Sequence, residues 1–503
     1  MVVYGVMAKK KKTAIIIGAG IGGMSAASRL AKDGYDVTIV EKDKNVGGRA
    51  NVIKQDGYTF DTGPTILMMT DVLYDTFAYC GKNFDDYISL SQLEPNYQVR
   101  WSDGSGVEVS SNLPRFAQSL SKIDPKAPEQ FYKFFGEMAK MYRIGRGKFI
   151  DKNFDKLTDF IDVSAGMELL KGGGLKKLYS YVSKYFDDPR LRMLFSFQSM
   201  YLGVSPYEAP AVYGMVSYME TGLGIWYPQG GMHKLPEAFA ALVKDMGGTI
   251  RLSTPVQRIV TENKVARGVQ LESGEVLEAD IVVCNADLPY AYKHLLSPTE
   301  RPKVKDQQLD TLKQASSALL FYWGVNDEMK DMLHHNVYFS KDFKANLDQI
   351  FHENTLPTDP AFYIYIPTKT DPSLAPKGRH VVYILVPVPN LDAGINWDTA
   401  IPKIKNRVLE RMKKIYKLDI ATKIESEAIF SPQDFLDRFN LTDGTAFGLS
   451  HHFFQSGYFR PSNKAKGLKN LYFVGASTYP GSGVPMVTLS GKLVAERIAK
   501  EQQ

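Results

Sequence analysis

Residues 13–23 have the sequence TAIIIGAGIGG, the first of two glycine-rich stretches that decide the fold. Residues 14–17 are apolar throughout, as expected for a central parallel strand that is covered on both faces. The glycines that follow satisfy G-x-G-x-x-G, in which they permit a tight turn, approach of backbone to a pyrophosphate, and close packing of helix on strand. We therefore predict a strand, a turn and a helix over residues 22–32 that together bind a dinucleotide, with candidate residues Gly18, Gly20, Gly22 and Gly23.

The next strand of this unit is predicted at residues 37–40, within YDVTIVEK. Glu41 directly follows it, 18 residues after Gly23. A carboxylate at the end of the second strand can accept hydrogen bonds from ribose hydroxyls. We therefore assign Glu41 to the predicted dinucleotide site.

The second glycine-rich stretch, LYFVGASTYPGSGVPMV, lies at residues 471–487, more than 450 residues after the first. We expect it to follow a strand and to lead into a helix over residues 487–500, whose N-terminus favours negative charge. Because the chain returns to the same cofactor, a flavin held along its whole length is favoured over an exchangeable nicotinamide. The candidate residues here are Gly475, Ala476, Val484 and Met486.

Two further motifs favour FAD over NAD. In VGGRA, at residues 46–50, Gly48 lets the chain fold back over a diphosphate and Arg49 supplies a cation. In GYTFDTGPTI, at residues 57–66, Gly63, Pro64 and Thr65 form a rigid turn that we expect against the flavin end.

The amino-acid composition limits the classes of protein to which this chain can belong. The 503 residues are 44% hydrophobic and 23% charged, which is typical of globular proteins, and the net charge of +6 comes without the arginine-rich stripe of a nucleic-acid binder. The two cysteines, Cys80 and Cys284, do not form a disulfide framework, which favours the reducing cytoplasm. The opening MVVYGVMAKKKK does not have the order of a secretory leader, and no stretch approaches the roughly 20 apolar residues of a membrane helix.

The pattern along the chain predicts an α/β protein. Helical periodicity rich in Tyr, Phe and Met runs from about 85 to 245, a β-meander occupies 247–287, and strands alternate with helices over 290–430. We predict a discontinuous Rossmann-type FAD-binding domain with an inserted substrate domain that combines a mixed sheet with helices. The predicted boundaries are 13–85, 247–290 and 460–503 for the FAD-binding domain, and 86–246 and 291–459 for the substrate domain.

The chain resembles the bacterial-type carotenoid desaturases (phytoene, or 4,4'-diapophytoene, also called dehydrosqualene) of the amine-oxidase-like FAD superfamily, from about residue 13 to the C-terminus. The resemblance is carried by GGRANVIKQDGYTFDTGPTILMMTDVL, FSFQSMYLGVSPYEAPAVYGMVSYMETGLGIWYPQGGM, SLAPKGRHVVYILVPVPNL and GASTYPGSGVPMV. DVLYDTFAYCGKNFDDYISL and TAFGLSHHFFQSGYFRPSN lean toward the diapophytoene branch. The resemblance implies that Val256 contacts the adenine through its backbone. The superfamily has an acidic residue where Ser477 stands, so we assign no carboxylate role to that position.

The same resemblance implies the activity. Such enzymes remove allylic hydrogens from a long isoprenoid polyene with FAD as the sole bound redox cofactor, pass electrons to a quinone or to oxygen, and lie peripherally on the membrane. Because a hydrocarbon offers no hydrogen-bonding group, its recognition requires an apolar tunnel. Candidate lining residues are Tyr201, Trp226 and Tyr227, and we predict a tunnel mouth with a basic rim.

No proton acceptor is singled out by spacing, so the catalytic residues are left unassigned. Asp159 and Glu208 are candidates, although a helix cap or a surface carboxylate is the favoured interpretation of each. His451 and His452 are adjacent, and in a strand they would point to opposite faces, so we expect no metal site.

Two alternatives stay open. One is a terminal-methyl oxygenase or a carotene isomerase of the same family. The other is a non-enzymatic carrier of prenylated proteins that resembles the Rab GDP-dissociation inhibitors, although Glu41, the GGR run and the C-terminal helix together favour a working flavin site.

Overall fold

A computed structural model describes residues 11–160 and 172–502. The opening ten residues, on which the expectation of no secretory leader rests, lie outside the described residues. The strands are β1 (Thr13–Ile17), β2 (Asp36–Val40), β3 (Val52–Gln55), β4 (Tyr58–Asp61), β5 (Leu90–Gln92), β6 (Tyr97–Trp101), β7 (Gly106–Val109), β8 (Trp226–Pro228), β9 (Thr249–Arg251), β10 (Val256–Glu262), β11 (Val265–Leu271), β12 (Val276–Glu278), β13 (Ile281–Cys284), β14 (Ser317–Val325), β15 (His335–Phe339), β16 (Phe362–Tyr365), β17 (His380–Val388), β18 (Ile424–Phe430) and β19 (Leu471–Phe473).

The α-helices among the described residues are α1 (Ile21–Lys32), α2 (Asp71–Tyr79), α3 (Leu113–Ser121), α4 (Ala127–Ile144), α5 (Leu157–Phe160), α6 (Leu178–Val182), α7 (Pro189–Leu194), α8 (Met215–Tyr218), α9 (Lys234–Asp245), α10 (Leu288–His294), α11 (Asp306–Asp310), α12 (Phe343–Phe351), α13 (Trp397–Ile415), α14 (Pro432–Phe439) and α15 (Val484–Gln502). None of the helices in residues 11–160 and 172–502 has both the length and the apolar character needed to cross a bilayer.

A five-stranded parallel sheet carries the N-terminal glycine-rich turn. Its order is β19-β13-β1-β2-β9, so it joins strands from the beginning, the middle and the end of the chain. Ile17 pairs with Val40 on one side and with Cys284 on the other. The predicted α/β class is confirmed, while the exact domain boundaries stay a prediction.

The two helices that follow the glycine-rich stretches pack against each other. The Ser25 hydroxyl of α1 donates a hydrogen bond to the Thr488 carbonyl of α15 at 2.8 Å. A β-carbon on Gly491 would lie 2.6 Å from Ser25 Oγ, so this close approach depends on small residues. The C-terminal helix begins at Val484, three residues before the predicted start.

The predicted meander forms the antiparallel strands β10, β11 and β12, and β13 then rejoins the parallel sheet. A second, seven-stranded mixed sheet has the order β18-β14-β17-β16-β15-β6-β7. One face of β14, with Phe321 and Trp323, packs in a core with Ile404 and Val408 of α13. Its other face, with Leu320, points toward the functional cavity described below.

The predicted helical stretch from about residue 85 is wrong in part. It contains β6 and β7, which extend the mixed sheet. The sequence of β6, YQVRW, alternates apolar and polar residues as a strand does, but this five-residue signal is outweighed by the helical periodicity of the longer stretch around it. The expected long helix around LRMLFSFQSMYLGV divides into α7 and a short helical segment at Phe197–Leu202.

Candidate functional site

A single cavity of about 800 Å³ extends from the carboxyl edge of the parallel sheet to one face of the mixed sheet. In doubly wound proteins, ligands bind at this edge of the sheet. The predicted site residues that line the cavity are Gly18, Gly20, Gly22, Glu41, Gly48, Arg49, Gly63, Pro64, Thr65, Val256, Gly475, Ala476, Val484 and Met486. Gly23 is not among the lining residues; a β-carbon there would collide with the Gly18 carbonyl oxygen, so Gly23 permits the turn itself.

Asn285, directly after β13, joins the two glycine-rich stretches. Its backbone N–H donates to the Ile17 carbonyl at 2.8 Å. A β-carbon on Gly20 would lie 2.6 Å from its Nδ2, and one on Gly475 would lie 2.6 Å from its Oδ1. The two distant stretches therefore meet at one side chain, which sequence reasoning missed; the only signal was a polar residue directly after the apolar run IVVC.

Glu41 is buried at the end of β2. Its Oε2 accepts a hydrogen bond from the Ala19 N–H at 2.7 Å, and its Oε1 accepts one from the Asp43 N–H at 2.9 Å. Burial raises the pKa of the carboxyl, although the two N–H groups act in the opposite direction. Each oxygen keeps a lone pair for a further donor.

Arg49 brings a cation into the cavity. Its Nη1 donates to the Ala446 carbonyl at 3.2 Å, and none of the carboxylates in residues 11–160 and 172–502 forms an ion pair with it. Burial lowers the pKa of the guanidinium. A β-carbon on Gly63 would collide with the Arg49 carbonyl oxygen, which explains why the Gly63–Pro64 turn can lie directly on this backbone. The Asp287 carboxylate favours the charged form of this half-buried guanidinium without forming an ion pair with it, so a bound anion would further offset the cost of desolvation.

The C-terminal stretch is held by two side chains that the sequence did not reveal. Asp287 accepts a hydrogen bond from the Ser477 hydroxyl. Arg460 is buried and donates to the carbonyls of Ala476 at 2.5 Å and of Thr478 at 3.3 Å. Burial lowers the pKa of Arg460 to about 10. These contacts fix the loop before α15, whose first turn faces the cavity at Val484 and Met486.

The rest of the cavity is mainly apolar. Of the three predicted aromatic residues, Tyr201 lines it, whereas Trp226 and Tyr227 belong to β8 and lie outside the lining. Tyr227 is fully buried and donates to Asp371 at 3.4 Å. Lining residues of this part include Phe197, Met200, Met215, Phe339, Phe362 and Leu385.

Neither carboxylate candidate lies at the cavity. Asp159 is exposed and accepts hydrogen bonds from the backbone N–H groups of Asp155 and Lys156. Glu208 is exposed and faces His352. The capping and surface interpretations are thereby supported.

His451 and His452 do not lie in a strand, which corrects the expected geometry. His451 is buried, lines the cavity, and accepts a hydrogen bond from the Ser482 N–H at 3.4 Å. Burial holds its pKa well below the usual value. Within the described part of the chain, no group of three His, Cys, Asp or Glu side chains could hold a metal ion.

A chain of hydrogen bonds leads from Thr65 into the mixed sheet. The Tyr363 hydroxyl lies 2.8 Å from Thr65 Oγ1 and 2.7 Å from His335 Nδ1. His335 is fully buried, and this burial keeps its pKa well below the usual value. The neutral imidazole therefore fixes the tyrosine and, through it, the turn at Thr65.

Comparison with known proteins identifies the family. Residues 21–499 match the family described as flavin containing amine oxidoreductase. The chain is 41% identical to the zeta-carotene-forming phytoene desaturase of Myxococcus xanthus, over 96% of this chain and 93% of that protein. It is 37% identical to the 4,4'-diapophytoene desaturase (4,4'-diaponeurosporene-forming) of Staphylococcus aureus strain Newman, over 97% of this chain and 98% of that protein.

Solved structures share the fold at low sequence identity. An oxidoreductase from Methanosarcina mazei superposes with a TM-score of 0.64 at 16% identity, over 96% of this chain and 100% of that one. A putrescine oxidase bound to putrescine gives 0.63 at 14% identity, over 97% and 99%. The Rab GDI of Plasmodium falciparum gives 0.55 at 12% identity, over 99% of both chains. At these identities the neighbours establish the fold alone.

Proposed function

Because this chain belongs to the family of flavin-containing amine oxidoreductases, it is an FAD-dependent oxidoreductase, and we propose that it desaturates a long isoprenoid polyene in carotenoid biosynthesis. The substrate is 4,4'-diapophytoene or phytoene. One observation carries this proposal: two carotenoid desaturases are 37–41% identical to this chain over nearly the full length of all three. The apolar end of the cavity supports it, since a hydrocarbon is recognised only by shape and burial.

The residues of the cavity fit FAD along its length. Gly20 and Gly475 both line the cavity and carry no side chain, so the backbone of both stretches can approach a diphosphate. We propose that Glu41 accepts hydrogen bonds from the ribose, that Arg49 faces the diphosphate, and that Val256 contacts the adenine. Gly48 then lies over the diphosphate, and the turn of Gly63, Pro64 and Thr65 lies against the ring.

The C-terminal stretch completes this arrangement. The N-terminal turn of α15, with Val484 and Met486, supplies unpaired N–H groups that favour negative charge on the ring. FAD held there would supply the hydride acceptor for the reaction, with a quinone or oxygen as the final electron acceptor. The apolar walls exclude water from the reacting carbons, while Tyr363 and His335 hold Thr65 in place.

We also propose that the protein is cytoplasmic and associates peripherally with the membrane that stores the substrate. Three aromatic side chains support this proposal: Phe453, Phe454 and Phe459 are 44%, 71% and 45% exposed and contact one another. Ser456 and Gly457, which lie between them in sequence, line the cavity. An exposed apolar cluster two residues along the chain from the cavity wall is suited to insert among lipid chains. The basic rim stays a prediction.

Within the family, a terminal-methyl oxygenase or a carotene isomerase requires the same flavin site. The non-enzymatic carrier shares the fold, but it does not require Glu41, Arg49 and the N-terminus of α15 to face one cavity. These three features favour the enzyme.

The deciding experiment is pigment analysis in a host that makes the thirty-carbon or the forty-carbon precursor in parallel cultures. A desaturase yields coloured hydrocarbons from one of them or from both, and the preferred precursor sets the chain length. An aldehyde or an alcohol in place of a more unsaturated hydrocarbon would indicate an oxygenase. If purified protein reconstituted with FAD retained no flavin, the carrier would be favoured.

A further inference from the structure

Glu220 is a fully buried carboxylate for which the site described above has no role. It lies in the helical turn Met219–Leu223 that follows α8. Its Oε2 accepts hydrogen bonds from the Tyr97 hydroxyl at 3.0 Å and from Gln198 Nε2 at 3.1 Å. Its Oε1 is buried and has no hydrogen-bond partner among the described residues. Since an incompletely paired carboxylate in a protein interior is costly, its presence calls for a function.

Tyr201 connects this carboxylate with the cavity. Tyr201 lines the cavity wall and packs against the cluster that contains Met219, the residue before Glu220; burial and the nearby Glu220 carboxylate raise the pKa of its hydroxyl. Tyr201 packs in an apolar cluster together with Met68 and Met486. Met68 follows the turn at Pro64–Thr65, and Met486 lies in the first turn of α15. Tyr201 therefore stands at the end of the cavity where the two segments proposed to hold the flavin ring converge.

Of the four carboxylates that line the cavity, Glu272 is exposed, Asp43 accepts the Asn45 N–H and faces Arg438, and the other two are also engaged. Glu41 accepts two backbone N–H groups, and Asp287 accepts the hydroxyls of Ser477 and Thr442. Glu220 is different because its Oε1 accepts no hydrogen bond from the described residues and because only neutral donors contact its Oε2. The titratable groups that face it are Tyr97 of β6 and Tyr201 of the segment Phe197–Leu202.

We propose that Tyr201 and Glu220 form the path by which a proton leaves the substrate; this inference rests on the proposed desaturase function. In each desaturation, a hydride with its two electrons leaves one carbon for the flavin. The C–H bond of the neighbouring carbon then breaks, and its electron pair forms the new double bond. The released proton binds the Tyr201 oxygen while the Tyr201 hydroxyl proton moves to Glu220, which becomes neutral. Glu220 thus acts through Tyr201 and does not touch the substrate.

The test is anaerobic single turnover of the holoenzyme with phytoene or diapophytoene dispersed in lipid, followed by the bleaching of the flavin absorbance across pH. Burial raises the pKa of Glu220 to about 7, and the proton acceptor is the ionised form, so the wild-type rate is expected to rise with pH through this value. We expect Glu220→Gln and Tyr201→Phe to bleach at least about tenfold more slowly, and Glu220→Gln to lose the pH step.

Tyr97→Phe provides a directional check. The Tyr97 hydrogen bond lowers the pKa of Glu220, so its removal is expected to move the rate step to higher pH without abolishing it. Tyr185→Phe is the matched control, because Tyr185 hydrogen-bonds to Tyr181 and does not line the cavity. It is expected to retain the wild-type rate and pH profile.

A readout independent of turnover uses the apoprotein. A protonated carboxyl group gives an infrared carbonyl band, which we expect to titrate near neutral pH in the wild type and to be missing from Glu220→Gln. If Glu220→Gln kept this infrared band unchanged, the inference would be overturned. The same would follow if Glu220→Gln bleached at the wild-type rate and with the wild-type pH step. If neither phytoene nor diapophytoene bleached the flavin absorbance of the flavin-loaded wild-type protein, the proposed function itself would fail, and the proposed proton path would fail with it.

Discussion

The Asn285 side chain occupies the space that a side chain at Gly20 would need, with Nδ2 only 2.6 Å from the position of a β-carbon. The same amide stands 2.6 Å from a β-carbon position on Gly475. Both glycine-rich stretches are therefore packed against one rigid group. The N-terminal and the C-terminal parts of the site are coupled, so a disturbance of either is expected to affect the whole cofactor.

The first prediction follows from this packing. Gly20→Ala should displace Asn285 or the turn, and we expect the flavin bound per protein to fall by about tenfold or more. The ratio of flavin to protein absorbance after reconstitution measures it. Gly136→Ala is the control, since a β-carbon there meets no atom within 4 Å and α4 tolerates alanine. Equal flavin content in Gly20→Ala and in the control would contradict the proposed diphosphate site.

A second prediction concerns the charge of Arg49. Because this guanidinium is partly desolvated and forms no ion pair with a carboxylate among the described residues, Asp287 offsets the cost of its desolvation in the apoprotein only in part. Arg49→Gln is expected to leave the apoprotein as stable as the wild type or more stable, yet to weaken FAD binding by about 10- to 100-fold.

The two effects of Arg49→Gln are separated by thermal denaturation with and without added FAD, since a ligand stabilises only the state that binds it. Arg115→Gln is the control, because Arg115 is a surface residue paired with Glu94 and Glu108. A loss of apoprotein stability with unchanged FAD affinity would show that Arg49 has a structural role only.

The sequence revealed those site residues whose chemistry depends on neighbours in the chain. Gly18, Gly20 and Glu41 belong to one strand–helix–strand unit, so their spacing alone indicates their role. Asn285 could not be found in this way, because it meets the carbonyl of Gly18 across 267 residues. Arg460 likewise bonds to carbonyls of a loop that becomes its neighbour only after folding. Trp226 and Tyr227 were misplaced for the related reason that aromatic composition does not show which face of the fold a strand presents.

A third prediction concerns Ser477, where the superfamily has an acidic residue. The Ser477 hydroxyl donates to Asp287, so the carboxylate at this place comes from another element of the chain. Ser477→Asp would bring two carboxylates together, and we expect a loss of about 1–3 kcal/mol in unfolding free energy.

The double variant Ser477→Asp with Asp287→Asn tests the cause. It should recover stability and flavin content relative to Ser477→Asp alone, because only one carboxylate remains. Additive losses in the double variant would mean that repulsion is not the reason, and that position 477 tolerates only a small side chain.

A fourth prediction concerns how the free energy of unfolding of the protein depends on pH through the titration of Glu220. Its pKa is raised from 4.5 to about 7 by burial, so the folded state binds the proton more tightly than the unfolded state. The stability that this group contributes is present below about pH 4.5 and is lost as pH rises through about 7, a change of roughly 3 kcal/mol. Glu220→Gln cannot titrate, so its unfolding free energy relative to the wild type should increase across this interval. Urea denaturation at pH 5 and pH 8 measures the difference, and a constant difference between the two would contradict a raised pKa.

The last prediction concerns the exposed cluster of Phe453, Phe454 and Phe459. The three rings are about half exposed. If they enter the lipid, replacing all three with serine removes the apolar area that they would bury there, which weakens the free energy of membrane binding by about 1 kcal/mol per residue. Partition onto liposomes should then weaken by about 100-fold, while bound flavin and the melting temperature stay near wild type. Tyr132→Ser is the control, because Tyr132 is 46% exposed on α4 and lies apart from the cavity lining. Co-sedimentation equal to that of the wild type would show that a different surface meets the membrane. Full activity of the serine variant on lipid-dispersed substrate would further show that entry of the polyene does not pass the Ser456–Gly457 wall.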